Sequence, residues 1–379
     1  MTRDTKKDLK TGLIWALVYQ IFLFSLVFFF IFLYQKSFSF PLFSRLWNAW
    51  DGNTYALLAQ HGYQTIGDEA NYIVFYPYYP LLVGIVAKLG IEVHLAGMFV
   101  TIIGSIIGHT IFYLWLRERG LTLWQARRVL FLFCINPVTV YFTMICTEGV
   151  FLALIAFFFL FLYRRSFALA ALFGLLASAT RLVGITLLVP FVLFFFEKHI
   201  HKSQWKKVAW GCLIPFGFIF YLGINVHYFG NPFYYQEVLQ QTWSKSVVNP
   251  FTQYISNVKG LKDFFPTGNA TYGLDMVSTL FIPLFVLFYC AVKRKKTWLV
   301  GLGFTLANLF IITAQSYWLS NTRYISLILP LYVFAEELMR RFLLLYCILC
   351  IVFIIISLYG ISLFARGFYS STVFSVLSL

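Results

Sequence analysis

The segment 47–55 contains Asp51, the residue best suited to acid–base chemistry in this chain. Its sequence, Trp-Asn-Ala-Trp-Asp-Gly-Asn-Thr-Tyr, places a carboxylate among aromatic residues just after the first long apolar stretch. A carboxylate that is partly shielded from water can accept the proton of an attacking hydroxyl group. The alternative is a solvated aspartate in an external loop. We predict that Asp51 is a general base.

The composition places this residue in a membrane protein. Of 379 residues, 60% are hydrophobic, 21% are aromatic and only 11% are charged, which is too little charge to cover a water-soluble surface. The net charge of +15 is compatible with a nucleic-acid partner. However, the basic residues form short clusters between apolar stretches, the pattern of cytoplasmic membrane loops. We therefore predict a lipid bilayer as partner and no nucleic acid.

The apolar stretches predict an all-α polytopic protein of the cell membrane, with about eleven transmembrane helices. A span needs about 20 apolar residues. Stretches 129–163 and 167–196 have basic residues at both ends, so each is expected to cross twice, with turns near 136–148 and at 180–181. The single-pass spans are 11–34, 95–116, 207–228, 271–292, 297–318, 324–339 and 342–365.

The basic clusters predict a cytoplasmic N-terminus and two long extracytoplasmic loops, 35–94 and 229–270. We find no soluble domain, so the whole chain 1–379 is predicted as a single transmembrane domain with these loops on the catalytic side. The first loop is expected to contain short amphipathic helices. Residues 77–90 are either such a helix or an additional span.

Three polar turns face the same side as Asp51 in this topology, and they carry Glu148, Arg181 and Arg323. Ionisable residues at membrane depth are costly and tend to mark functional cavities. The planar guanidinium of arginine suits a phosphate group, and Glu148 is suited to orienting a hydroxyl group. The structural alternatives are a Glu148–Arg181 ion pair and an Arg323 that anchors to lipid headgroups.

Six motifs follow one another between residues 50 and 324. They are Trp50-Asp51 with Tyr55, Ala59 and Gly62-Tyr63; Phe75-Tyr76-Pro77-Tyr78-Tyr79-Pro80-Leu81-Leu82; Asn136-Pro137 with Thr147-Glu148 and Phe151; Ala179-Thr180-Arg181-x-x-Gly184; Gly230-Asn231-Pro232-Phe233 with Trp243; and Thr322-Arg323-Tyr324. In this order they resemble the GPI second-mannosyltransferase (phosphatidylinositol glycan class V-like) family, which belongs to the GT-C polytopic glycosyltransferases. Thr54 departs from the pattern, because many relatives have His there. This departure and the lack of long insertions favour a bacterial member with another acceptor.

The resemblance implies a GT-C-type fold, a polyprenyl-phosphate-linked monosaccharide donor, a hydroxyl acceptor such as a glycan or glycolipid, and an inverting single displacement with Asp51 as the base. The predicted donor-phosphate residues are Arg181 and Arg323. The predicted substrate contacts are Trp50, Tyr55, Tyr76, Tyr79, Glu148, Trp243 and Tyr324. The histidines lack metal-ligand spacing, so no metal site is predicted. A divalent cation stays open as a cofactor, because some GT-C enzymes use one.

Two other functions fit an arginine-lined membrane cavity. One is a transporter or flippase of a lipid-linked saccharide, which inverted repeats would favour; none is visible in the sequence. The other is an O-antigen-type polymerase or ligase, which is also an enzyme but uses a different donor. Formation of a glycosidic product would distinguish a glycosyltransferase, or a polymerase or ligase, from a transporter.

Overall fold

The computed structural model describes residues 5–36, 47–199, 202–264, 270–293 and 298–366. Parts 37–46 and 265–269 of the two predicted external loops lie outside the described residues. Within the described ranges the regular structure is helical, apart from an isolated antiparallel bridge between Val247 and Gln315. The prediction of an all-α fold is therefore confirmed.

The α-helices are numbered in chain order, and short 3-10 helices lie between some of them. They are α1 (Thr5–Gln35), α2 (Asp51–His61), α3 (Tyr78–Ala87), α4 (Val93–Glu118), α5 (Leu123–Cys134), α6 (Glu148–Tyr163), α7 (Phe167–Ser178), α8 (Leu188–Glu197), α9 (Phe216–Phe229), α10 (Tyr234–Trp243), α11 (Pro250–Phe264), α12 (Ala270–Lys293), α13 (Leu299–Thr313), α14 (Asn321–Ser326), α15 (Pro330–Met339) and α16 (Leu343–Ala365).

Among the described residues, five helical segments are long and apolar enough to cross a membrane. They are Thr5–Gln35, Val93–Glu118, Trp205–Phe229, Gly273–Lys293 and Leu343–Ala365, and each overlaps a predicted single-pass span. Shorter apolar helices occupy 148–163, 167–178, 182–197 and 299–313. Helical structure is interrupted between α5 and α6 and again at 179–181, where the two turns were predicted.

The helices in two predicted segments, 324–339 and 77–90, are short. The predicted span 324–339 is wrong as a single helix, because the chain forms α14, leaves the helix and begins α15 at Pro330. Proline suits the first turn of a helix but cannot continue one, and the ten residues of α15 are fewer than the ~20 a straight span needs. Residues 77–90 form the ten-residue helix α3, which is short as well.

The described residues form two compact units. Of the described residues, those within 1–64, 75–166 and 342–379 belong to the first unit, and those within 65–74 and 167–341 belong to the second. The first unit thus holds α1 to α6 and α16, and the second holds α7 to α15 together with a 3-10 helix at Asp68–Val74.

Small residues let α4 pack closely on α6 in the first unit. A Cβ atom added to Gly104 would lie 2.8 Å from the backbone nitrogen of Val150, and one on Gly108 would lie 2.6 Å from Leu152 Cγ. From the opposite side, a Cβ on Gly149 would collide with the carbonyl of Thr101. Small residues permit such close helix packing in membrane proteins. The start of α6 is therefore fixed against α4.

Candidate functional site

Asp51 is the first residue of α2 and is half-buried. Trp50, directly before it, has φ 57° and ψ −121°, a conformation that residues other than glycine rarely adopt. Such strain costs about 1–3 kcal/mol and clusters at functional sites. The N-terminus of a helix also stabilises a negative charge. The backbone thus presents Asp51 at a strained turn suited to a carboxylate.

Aromatic contacts hold this turn in the first unit. The Trp50 ring stacks on Tyr141, with ring centroids 5.5 Å apart and an interplanar angle of 22°. The indole nitrogen Nε1 of Trp47 donates a hydrogen bond of 2.7 Å to the carbonyl of Thr143. Trp47 is itself almost fully buried. The segment before Asp51 is therefore anchored to the chain at 141–143.

The chain at 141–143 continues to Glu148. The predicted motifs around Asp51 and Glu148 therefore lie close together in the first unit. A Cβ on Gly52 would lie 3.4 Å from Ile145 Cβ, so the residue after Asp51 packs three positions before Glu148. The carbonyl of Cys146 accepts a hydrogen bond of 3.1 Å from Thr101 Oγ1. Glu148 begins α6 and is only 1% exposed. Glu148 is thus an enclosed carboxylate in the same unit as Asp51.

Three predicted substrate-binding tyrosines of the first unit are buried. The Tyr55 ring packs edge-on against Phe75 and Tyr79, with centroid distances of 5.1 Å and 4.8 Å. The Tyr79 hydroxyl lies 2.7 Å from Thr101 Oγ1 and donates to a carbonyl of α4 at 3.1 Å. Tyr76 is buried as well. These rings pack α2 and α3 onto α4; their contact with substrate stays a prediction.

A histidine that sequence reasoning discounted lies near the Asp51 helix. His94 Nδ1 is 2.6 Å from Glu92 Oε1, and its Nε2 is 3.4 Å from Asn53 Oδ1, two residues beyond Asp51. Glu92 also caps α4 by accepting a bond from the backbone of Leu95. Partial burial alone would raise the pKa of Glu92, but the hydrogen bonds from His94 and from backbone N–H groups lower it overall. The contact between His94 and Asn53 thus places the His94–Glu92 pair next to α2.

In the second unit, a tight turn presents Arg181. The chain leaves α7 and reverses, with the backbone nitrogen of Arg181 donating to the carbonyl of Ala177 at 3.0 Å and Gly184 donating to Arg181 at 2.9 Å. A Cβ on Gly184 would collide with the backbone of Ala177. The A-T-R-x-x-G motif therefore has a physical reason, because only glycine fits the last position of this reversal.

Arg181 and Tyr324 meet although they are 143 positions apart in the sequence. The guanidinium carbon of Arg181 lies 4.3 Å from the Tyr324 ring centroid, within the range of a cation–π contact. Tyr324 lies outside the five candidate spans. Burial alone would raise its pKa, but Arg181, Lys245 and Arg323 lower it overall. Two predicted phosphate-binding arginines and a predicted contact residue are thus near one another.

Lys245 is a third cation near Tyr324, and the sequence analysis did not single it out. Its Nζ donates a hydrogen bond of 2.9 Å to the carbonyl of Leu319. Backbone hydrogen bonds join segment 246–248 to segment 314–316 around it, and Trp243 lies half-buried at the end of α10 just before it. We call Arg181, Lys245 and Arg323, with the ring of Tyr324, the cationic cluster.

The predicted site residues divide between the units. Asp51, Glu148 and the aromatic residues at 50, 55, 76 and 79 belong to the first; Arg181, Trp243, Arg323 and Tyr324 belong to the second. Their convergence on one cavity stays a prediction. Within the described ranges, no three His, Cys, Asp or Glu residues are grouped as metal ligands.

The chain is similar in structure to ArnT from Cupriavidus metallidurans, whose crystal structure contains undecaprenyl phosphate. The TM-score is 0.52 at 12% sequence identity, over 94% of this chain and 75% of ArnT. The chain has a GT-C-type fold. At this identity the similarity establishes the fold alone. The sequence matches no family model and no curated protein.

Proposed function

We propose that this protein is a membrane glycosyltransferase that takes a hexose from a polyprenyl-phosphate donor and transfers it to a hydroxyl acceptor on the extracytoplasmic face. The cationic cluster is the observation that carries this proposal. It gathers two arginines and a lysine around Tyr324 in a chain with a GT-C-type fold. ArnT, which shares that fold, binds undecaprenyl phosphate in its crystal structure.

The chemistry of the donor explains why these groups are needed. When the acceptor hydroxyl attacks the anomeric carbon, the bond to the lipid phosphate breaks and the phosphate leaves as an anion. Cations that bind phosphate in a bidentate manner stabilise the developing charge. Arg181 and Arg323 are proposed for this role, and Tyr324 supports Arg181 through its ring.

The acceptor hydroxyl must lose its proton as it attacks, and Asp51 is proposed to accept it. One carboxylate is enough because the phosphate leaves as a stable anion and needs little help from an acid, in contrast to the two carboxylates of glycosidases. The half-buried position of Asp51 behind a strained Trp50 supports this role. A single displacement inverts the anomeric configuration.

The motif order supports a mannosyl donor and a glycan or glycolipid acceptor, as in the GPI second-mannosyltransferase family that the sequence resembles. Trp50, Tyr55, Tyr76, Tyr79, Glu148 and Trp243 are proposed to shape the acceptor and sugar sites. A multi-pass topology with a cytoplasmic N-terminus is part of this proposal. It places Asp51 and the cationic cluster on the side where lipid-linked sugars are consumed.

Transfer by purified protein in lipid nanodiscs tests the proposal. Wild-type protein is supplied with polyprenyl-phosphate mannose or glucose and a panel of glycolipid acceptors, and products are identified by mass spectrometry. We expect a new glycosidic product from the wild type and a loss of about 100- to 10,000-fold in turnover for Asp51→Asn. The matched control is Asp68→Asn, an exposed carboxylate in the same predicted loop, which should retain wild-type turnover.

Glu148→Gln distinguishes the roles of the two carboxylates. It should lower the rate of the chemical step less than Asp51→Asn does. A folded Asp51→Asn protein with wild-type turnover would move the base elsewhere, first to Glu148. Donor binding without any glycosidic product in the wild type would instead favour a transporter of lipid-linked saccharides.

A further inference from the structure

Asp275 is a buried carboxylate near the start of α12, and it points at the chain that leads into the cationic cluster. It is only 3% exposed. Its Oδ2 accepts a hydrogen bond of 2.6 Å from the backbone nitrogen of Ser320, and its Oδ1 accepts one of 2.7 Å from Thr322. A buried charge is costly unless hydrogen bonds compensate it. Here both oxygens are engaged by one short stretch of backbone.

This stretch has a backbone conformation that needs support. Ser320 has φ 66° and ψ 14°, the left-handed region that residues other than glycine seldom occupy. Its carbonyl accepts a bond of 3.1 Å from the nitrogen of Arg323. The two Asp275 contacts therefore bracket the turn that sets the direction of α14, and Arg323 follows directly after it.

Neighbouring side chains of α12 make further contacts with residues 320–322. Together with the two Asp275 hydrogen bonds, we call these contacts the clamp. Ser278 Oγ lies 2.9 Å from Thr322 Oγ1, and Asn321 Nδ2 donates to Thr279 Oγ1 at 3.1 Å. One face of α12 thus contacts each residue from 320 to 322. Asp275 is the charged member of this face, and hydrogen bonds to a charged group are stronger than neutral ones.

The residues held by the clamp, 320–322, lie between the point where Lys245 binds the chain and Arg323. Lys245 bonds the carbonyl of Leu319, one residue before the clamp. Arg323 and Tyr324 follow it, and the guanidinium of Arg181 rests on the Tyr324 ring. A shift of residues 320–322 would therefore change the position of all three cations relative to one another.

We infer that Asp275 is a positioning residue for the donor phosphate: it holds the turn at 320–322 so that the three cations of the cluster face one anion. This inference rests on the proposed function and adds to it a residue that does not itself touch substrate. Because a phosphate bound by two guanidinium forks requires defined geometry, loss of the clamp should weaken donor binding more than it slows the chemical step.

Asp275→Asn tests the inference. The amide keeps the shape of the side chain but replaces one acceptor oxygen with a donor, so one of the two backbone bonds is lost. We expect the KM for the polyprenyl-phosphate sugar and the Kd for undecaprenyl phosphate to rise about tenfold, with kcat and the acceptor KM within about twofold of wild type. The matched control is Thr305→Val in α13, whose buried hydroxyl bonds the carbonyl of Gly301 in its own helix; it should leave both donor constants unchanged.

The outcomes separate this inference from the proposed function. Wild-type protein that neither binds undecaprenyl phosphate nor forms product would refute the proposed function. Wild-type binding with an unchanged donor KM and Kd in Asp275→Asn would overturn the role of Asp275 alone, and so would an equal loss in Thr305→Val. If Asp275→Asn does not fold, Ser278→Ala carries the test, because it keeps the Asp275 carboxylate and removes the contact with Thr322 Oγ1 together with a 3.1 Å hydrogen bond to the carbonyl of Asp275 within α12. It should raise the donor KM about threefold, and an unchanged donor KM would overturn the inference.

Discussion

Replacement of Arg181 by lysine should weaken donor binding while it preserves charge. Arg181 lies at the apex of the reversal after α7, and its guanidinium stacks on Tyr324 at 4.3 Å. A guanidinium can bind a phosphate through two parallel charge-assisted hydrogen bonds, whereas an ammonium acts as a point charge. The substitution therefore removes a fork and a planar stacking partner, but no net charge.

The size of the effect follows from the bonds that are lost. One charge-assisted hydrogen bond contributes about 1.5–3 kcal/mol, and about 1.4 kcal/mol corresponds to a tenfold change in affinity. If lysine keeps one of the two phosphate contacts, the Kd for undecaprenyl phosphate should rise about 10- to 150-fold. Arg181→Ala should lose at least as much affinity, because the charge is lost as well.

Binding of undecaprenyl phosphate to purified protein in nanodiscs, measured by native mass spectrometry, checks this expectation. Arg165→Lys is the matched control, since Arg165 is an exposed arginine in the turn between α6 and α7. It should bind the lipid like the wild type. Folded Arg181→Lys protein with wild-type affinity would refute the assignment of Arg181 to the phosphate.

Two further predictions follow from the structure, and a third follows from the distribution of basic residues in the sequence. Gly184→Ala should lower the apparent melting temperature, corresponding to about 1–3 kcal/mol of overpacking, because its Cβ would collide with Ala177; Gly223→Ala in α9, where a Cβ meets nothing within 4 Å, should not lower it. Lys245→Gln should raise the Kd for undecaprenyl phosphate about tenfold; an unchanged Kd would show that Lys245 does not contribute to phosphate binding. In a cysteine-free background, an impermeant thiol reagent applied to intact cells should label Thr65→Cys but not Lys198→Cys; the reverse pattern would invert the topology.

The sequence alone was sufficient for the helical architecture, because the signals that specify it are local. Apolar length and flanking charge identified the five long spans and the interruptions near 136–148 and 180–181. The error at 324–339 has a local cause too: Pro330 begins a new helix there. Hydropathy averages over a window and does not register a single backbone restriction within it.

The candidate site was predictable in part, for the same reason. Asp51 and Arg181 were singled out by residue type and by short motifs, and the structure explains the glycine of A-T-R-x-x-G as a steric requirement of the turn. The assignment of their roles rests on the proposed function. Motifs of this kind are visible because the residues that define them are close in sequence.

Only the tertiary structure decided which residues surround them. Lys245 reaches Leu319 across 74 positions, and Asp275 binds Ser320 across 45 positions. The enclosure of Glu148 depends on the glycines that bring α4 and α6 together. Lysines and aspartates are common and carry no local mark of such contacts. Their partners are specified by the packing of distant helices, which depends on the whole chain and not on any one segment.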